Sequence, residues 1–253
     1  MMRIVSLVPS LTELLFALDL GPQLVGRTGF CVHPAPAVRA VPKMGGTKTI
    51  DEAAVIAAAP THLVVNVDEN EKPTIDRLMQ ALPRTELVVT HPCTMLDNRA
   101  LYAQFGEVFD RRTQAAALIQ AFDEAHASVL AERYAPRPVI YLIWKDPWMT
   151  VSAATYIADA LACVGLMVRA PASERRYPEI QWAHFAPGPR DLVLFSSEPY
   201  RFGQAHAEAF AREHGLPAEH CLLIDGEMTS WFGPRAIAGL TYLAQLRSRI
   251  DRS

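Results

Sequence analysis

Two short pairs of soft donor residues are the places where this chain could do chemistry. Cys31 and His33 lie two residues apart, and so do His91 and Cys93. In extended backbone such positions share a face, so each pair could present a thiol and an imidazole together as metal ligands. An imidazole such as His33 also suits the axial position of a cobalt or iron centre. If the two loops met, four nitrogen and sulfur ligands would be available, the number a closed tetrahedral site needs. The alternative for the first pair is a loop stiffened by Pro34 and Pro36, with His33 bonded to backbone. Cys31 and His33 could also act as a thiolate–imidazole nucleophile. No acid stands near to orient the histidine, and neither GxSxG nor HExxH occurs. An enzyme is therefore not expected, and no intrinsic cofactor is implied.

A larger group of side chains could hold a ligand without reacting with it. Trp144, Trp148, Tyr156, Tyr177, Tyr200, Phe202, Trp231 and Phe232 crowd the second half of the chain, with Asp146, Glu198 and Glu227 among them. Aromatic rings supply large, rigid contact area at little entropic cost, which suits a flat macrocycle. The competing reading is that each ring packs the end of a sheet, and Trp182 is read that way. In the first half Phe30, Thr47, Lys48, Asn66, Asp68, Glu69 and Asn70 are the corresponding candidates. The asparagines and acids could bond ligand amides or cap the next helix. Gly45-Gly46-Thr47-Lys48 lacks phosphate-loop spacing and reads as a tight turn presenting Thr47 and Lys48.

The elements that must position these residues repeat. Ile4–Leu7, Leu63–Val65 and Leu87–Val89 are strand-like, and each runs into polar residues. Val139–Ile143, Leu192–Phe195 and Leu222–Ile224 do the same in the second half. Helical periodicity lies between them: from a capping box at Ser10–Glu13, over Asp51–Ala59, around Thr74–Leu82, over Ala154–Val164, in a short piece at Gln181–Ala186, and around Gln204–His214. Strands alternating with helices predict α/β lobes with parallel sheets. Arg111–Tyr134 carries no glycine or proline and reads as one long helix of roughly 35 Å. The expected division is 1–110 as an N-terminal α/β lobe, 111–136 as an interlobe helix and 137–253 as a C-terminal α/β lobe. Because ligands of parallel sheets bind beyond the carboxyl ends of strands, the candidates converge on an interlobe cleft. A helical strut predicts limited hinge motion.

Composition excludes several classes. The 253 residues are half hydrophobic and one-fifth charged, which is globular. A formal charge of −3, with basic runs no longer than pairs, argues against nucleic acid or an anionic membrane as partner. No apolar run is long enough for membrane insertion, and a monomer is expected. The four cysteines show no CxxC; Cys163 and Cys221 read as core residues, and free thiols are preferred to disulfides. No signal segment precedes the first strand, so the expected compartment is cytoplasmic, or periplasmic if the true start lies upstream.

Arg3–Leu18, Gly26–Pro34, Gly45–Lys48, Asn66–Asn70, Trp144–Val151, Thr155–Ile157, Arg176–Glu179, Ser196–Phe202 and Asp225–Arg235 together resemble the helical-backbone periplasmic-binding-protein family. The resemblance is to the cobalamin and ferric-siderophore receptor type, and within it to the cobalamin-binding group. It implies two Rossmann-like lobes joined by a long helix, and cobalamin or another metal chelate in the cleft between them. It also implies an ABC importer permease as partner, docked through one acid on each lobe. The matching positions here are Ala53 and Ala183, with Glu52 one place from the first. That departure leaves a binding or sensing module without a transporter as the alternative, beside direct metal-ion binding through the Cys/His pairs.

Overall fold

The computed structural model describes residues 1–252, which divide by internal contacts into two units. The first comprises Met1–Pro92, Asn98–Gln120 and Phe232–Pro234; the second comprises Cys93–Asp97, Ala121–Trp231 and the described residues from Arg235 onward.

In the first unit, β1 (Ile4–Ser6), β2 (Leu24–Arg27), β3 (His62–Asn66) and β4 (Glu86–Thr90) form a parallel sheet in the order β2-β1-β3-β4. Val5, Leu63 and Val65 point into a core with Leu7, Val55, Ile75 and Leu78. The helices between strands are α1 (Pro9–Ala17), α2 (Glu52–Ala57), α3 (Lys72–Ala81) and α4 (Asp97–Val108). The capping box expected at Ser10 does not form. Pro9 takes the first helical position, where its missing N–H costs nothing, so Ser10 lies inside α1 and is buried. Asp51 does cap α2, its carboxylate accepting from Ala54 N at 3.0 Å. Helix α5 (Arg112–Ala131) is continuous, and the division between units falls within it.

In the second unit, β5 (Arg137–Trp144) pairs in parallel with β7 (Leu166–Val168) and β8 (Leu192–Ser196), and β8 in parallel with β9 (Cys221–Ile224). The two-residue β6 (Met149–Thr150) runs antiparallel to the end of β5. Helices α6 (Tyr156–Ala162), α7 (Gln204–His214), α8 (Gly226–Ser230) and α9 (Arg235–Ile250) complete the unit. The Gln181–Ala186 helix is a turn instead: Phe185 N and His184 N both donate to Gln181 O, and proline follows at once. Phe195, Phe202 and Phe210 interlock edge to face in the core.

In both units the parallel strands bring their carboxyl ends to one edge of their own sheet. That edge carries the candidate residues.

Candidate ligand-binding faces

On the first unit β2 leads into a loop pinned to the glycine turn. Gly29 N donates to Gly45 O at 2.7 Å, and Gly46 N to Thr49 O at 2.9 Å. Gly45 sits at φ +84°, where a Cβ would lie 2.4 Å from Thr49 O, so only glycine fits this turn. The Phe30 ring lies beside Gly46 and stays 63 % exposed; Val32 and, at the end of β3, Val67 (55 %) are exposed too. Thr47 is half-buried and Lys48 exposed.

The expectation of Cys31 as an accessible ligand or nucleophile is corrected. Its side chain is fully buried, with Thr12 Oγ1 donating to Sγ at 3.1 Å and Thr28 Oγ1 sharing a hydrogen bond with it at 3.2 Å. Burial pushes the thiol pKa up, against the lowering effect of both hydroxyls, so the reactive thiolate is disfavoured. His33 is half-buried in the loop beyond it. His91 faces Asp68 at 3.5 Å, and Cys93 accepts from Arg176 Nη1 at 3.3 Å. Among the described residues no three His, Cys, Asp or Glu side chains come together as a metal site.

Asn66 and Asn70 are buried, and their amide groups serve the fold. Asn70 Oδ1 accepts from Asn66 N at 3.0 Å, while Asn70 Nδ2 donates to Thr47 O at 3.0 Å and Leu7 O at 3.3 Å. Asn66 Oδ1 accepts from Asp68 N at 2.8 Å, and Asn66 Nδ2 reaches Thr90 O at 3.2 Å. These bonds tie three strand exits to the glycine turn. Glu69, half-buried, lies between them.

On the second unit the aromatics split into two groups. Trp148, half-buried, stacks on Phe202 at 5.9 Å and meets Trp182 and Phe210 edge-on. Phe202, Tyr156 and Trp231 are buried, and so is Phe232, which belongs to the first unit. Withdrawing a buried aromatic side chain costs about 1.5–3 kcal/mol, more than the roughly 0.5–1.5 kcal/mol of one ring–ring contact. These rings therefore shape the face without supplying much contact surface. Trp182, read as structural, packs with Phe210 at 5.0 Å. Tyr177 is half-buried in a segment that hydrogen-bonds along β6. The rings that remain available are Trp144, 39 % exposed at the end of β5, and the half-buried Tyr200 set edge-on to it at 5.5 Å. Asp146, at φ +61°, is exposed beside them.

The exits of β8 and β9 form a connected polar group. Trp231 Nε1 donates to Glu198 Oε2 at 2.8 Å, and Arg235 pairs with Glu227 at 3.2 Å while lying over the Trp231 ring at 5.0 Å. Burial raises the Glu198 pKa to about 7; the Trp231 bond and Arg235 lower it, and Glu227 and Asp225 raise it. Beneath, Tyr141 OH meets Ser196 Oγ at 3.0 Å and Thr229 Oγ1 at 2.6 Å. A Cβ at Gly226 would lie 2.5 Å from Ser196 Oγ and 2.9 Å from Glu198 N, so glycine lets α8 start against this exit. Arg235 and Arg176 were missed as site neighbours. The only signal for Arg235 was its spacing of four from Trp231.

A sequence model described as periplasmic binding protein matches residues 4–218. The chain belongs to the periplasmic binding protein family. Its two α/β units with parallel sheets are the expected fold, shared with solved members. The periplasmic vitamin B12 binding protein BtuF of Vibrio cholerae matches with TM-score 0.80 and 17% identity, over 99% of this chain and 98% of that one. The periplasmic heme-binding protein RhuT from Roseiflexus sp. RS-1 matches with TM-score 0.83 and 18% identity, over 98% of each chain. The periplasmic heme binding protein HutB of Vibrio cholerae matches with TM-score 0.79 and 19% identity, over 97% of this chain and 98% of that one. No curated protein matches this binding-protein chain. No helix among its described residues is long and apolar enough to cross a membrane.

Proposed function

We propose that the protein is a non-enzymatic substrate-binding protein for a flat metal chelate, a corrinoid or a similar macrocycle, taken at the carboxyl-end edges of the sheets. The supporting observation is the placement of exposed apolar side chains. Phe30, Val32 and Val67 on the first unit and Trp144 on the second are exposed at strand exits, where large apolar groups are hydrated at a cost unless a ligand covers them. Lys48 on the edge of the first unit, and Asp146, Glu198 and Glu227 on the edge of the second, suit polar contacts to such a ligand. Similarity to vitamin B12- and heme-binding structures supports the macrocycle class without choosing within it.

Direct binding of a bare metal ion loses its basis with the burial of Cys31. Delivery to an importer through acid–arginine docking is also unsupported. Ala53 and Ala183 are exposed methyl groups, and Glu52 is already engaged by Arg77 Nη2 at 2.6 Å. Any transporter partner must be met by other contacts, and a binding or sensing module without one is the alternative reading.

The test is a thermal-shift and absorbance titration of the purified protein with cyanocobalamin and, separately, hemin. A saturable rise in Tm with either macrocycle, weakened tenfold or more in Trp144→Ala, is expected. Stabilisation by Zn²⁺ alone, or by neither macrocycle, would refute the reading.

A further inference from the structure

The opposite edge of the second unit carries a separate feature. Parallel strands β5, β8 and β9 begin there, and Pro136, Arg137, Pro138, Pro189, Arg190 and His220 line an open cavity of about 500 Å³. That volume lies in the range of small-molecule sites.

The three hydrogen-bonding side chains of this lining all suit an anion. Among the described residues neither Arg137 nor Arg190 has a carboxylate within ion-pair distance or a side-chain hydrogen bond. The acid beside Arg190 is committed elsewhere: Asp191 is buried, pairs with Arg169, and accepts from Gly188 N at 2.8 Å. Glu219, exposed next to His220, forms no ion pair among the described residues. His220 Nδ1 is buried without a hydrogen-bond partner among the described residues.

The backbone holds these groups in place. Arg137 precedes Pro138 and is thereby restricted to extended conformations, and its N–H is bonded to Gly165 O at 2.8 Å. Pro189 fixes the approach to Arg190, and His220 closes a short turn immediately before β9. The prolines offer no N–H donors, so donation falls to the two guanidiniums and the imidazole. Guanidinium groups present forked N–H donors that match phosphate oxygens, and are more weakly hydrated than ammonium.

We propose that this cavity is a second ligand site, taking a phosphate group either as a small free oxyanion or at the end of a phosphate ester. It is independent of the macrocycle reading: it shares no residue with the carboxyl-end edges.

The experiment is isothermal titration of the full chain at low salt with inorganic pyrophosphate and, separately, adenosine 5′-diphosphate, with sodium chloride matched in ionic strength. Saturable binding is expected, weakened at least tenfold in Arg137→Gln/Arg190→Gln and several-fold in His220→Gln. Binding of both probes marks recognition of the phosphate group; pyrophosphate alone marks a free anion, and the diphosphate ester alone an ester site. Absence of binding by both, or equal binding by the wild type and the double variant, overturns the proposal. The imidazole resonances of His220 give an independent reading: they should move with the bound probe and stay in place with chloride. The macrocycle titration of the double variant should match wild type, so failure of one site is separable from failure of the other.

Discussion

At the scale of single residues, burial decides which side chains keep their chemistry. Glu198 is the clearest case. Its folded pKa of about 7 lies above the ordinary carboxyl value of 4.5, so between those values the native state holds a proton that the unfolded chain has released. Stability contributed by this proton is fully present below pH 4.5 and is lost as pH rises through 7. Urea unfolding of wild type should show that decline, and Glu198→Gln, which still accepts from Trp231, should lack it. A parallel decline in the variant would sink the assignment. Cysteine reactivity follows the same logic. Cys31 is buried with a raised pKa, and burial pushes Cys163 and Cys221 up to about 11. Cys93, half-buried beside a guanidinium, should react first with a disulfide reagent in the native protein, with Cys31 silent until unfolding. Early labelling of Cys31, located by peptide mapping, would contradict the structure.

Elements show how much could be read before any coordinates. The strands were legible because apolar runs of three to five residues ended in turn-forming or polar groups, and β1, β3, β4, β5, β8 and β9 lie where those runs are. Strands β6 and β7 were not read: two or three residues paired to a neighbour carry no periodicity of their own. The helix start read from side-chain chemistry, at Ser10, failed because proline geometry took precedence, whereas the cap that Asp51 supplies to α2 emerges only from the structure. The candidate site was legible as a location more than as a set of contacts. Asn66 and Asn70 lie at strand exits as expected, yet their amides are consumed in tying those exits together, something only spatial neighbours reveal. Asn70→Ala removes three hydrogen bonds and should destabilise by about 1–3 kcal/mol in chemical denaturation, since buried partners are left unmatched. At the other unit's exit, Gly226→Ala should cost a similar ~1–3 kcal/mol, because its Cβ would meet Ser196 Oγ and backbone at Glu198. Wild-type unfolding midpoints in either variant would contradict these placements.

For the molecule as a whole, the two matching halves of the sequence correspond to two α/β units, but the correspondence is not one of contiguous segments. Residues 232–234 belong to the first unit. Tyr102 OH donates to Gly233 O at 2.8 Å, and Gly233 N donates to Asn98 Oδ1 at 2.7 Å, with Gly233 at φ +83°. Tyr102→Phe together with Asn98→Ala should lower stability by about 2–4 kcal/mol through the stranded groups at Gly233, measured by urea denaturation. An unchanged midpoint would show that this tie is dispensable.

That tie bears on how the gene could be cut. The chain passes between units after residues 92, 97, 120, 231 and 234, so no single break separates them. Two fragments divided at codon 120 would each carry a piece of the other's unit: Cys93–Asp97 in one and Phe232–Pro234 in the other. Neither fragment is a module that could be expressed, swapped or grafted whole, even though the sequence reads as one pattern written twice.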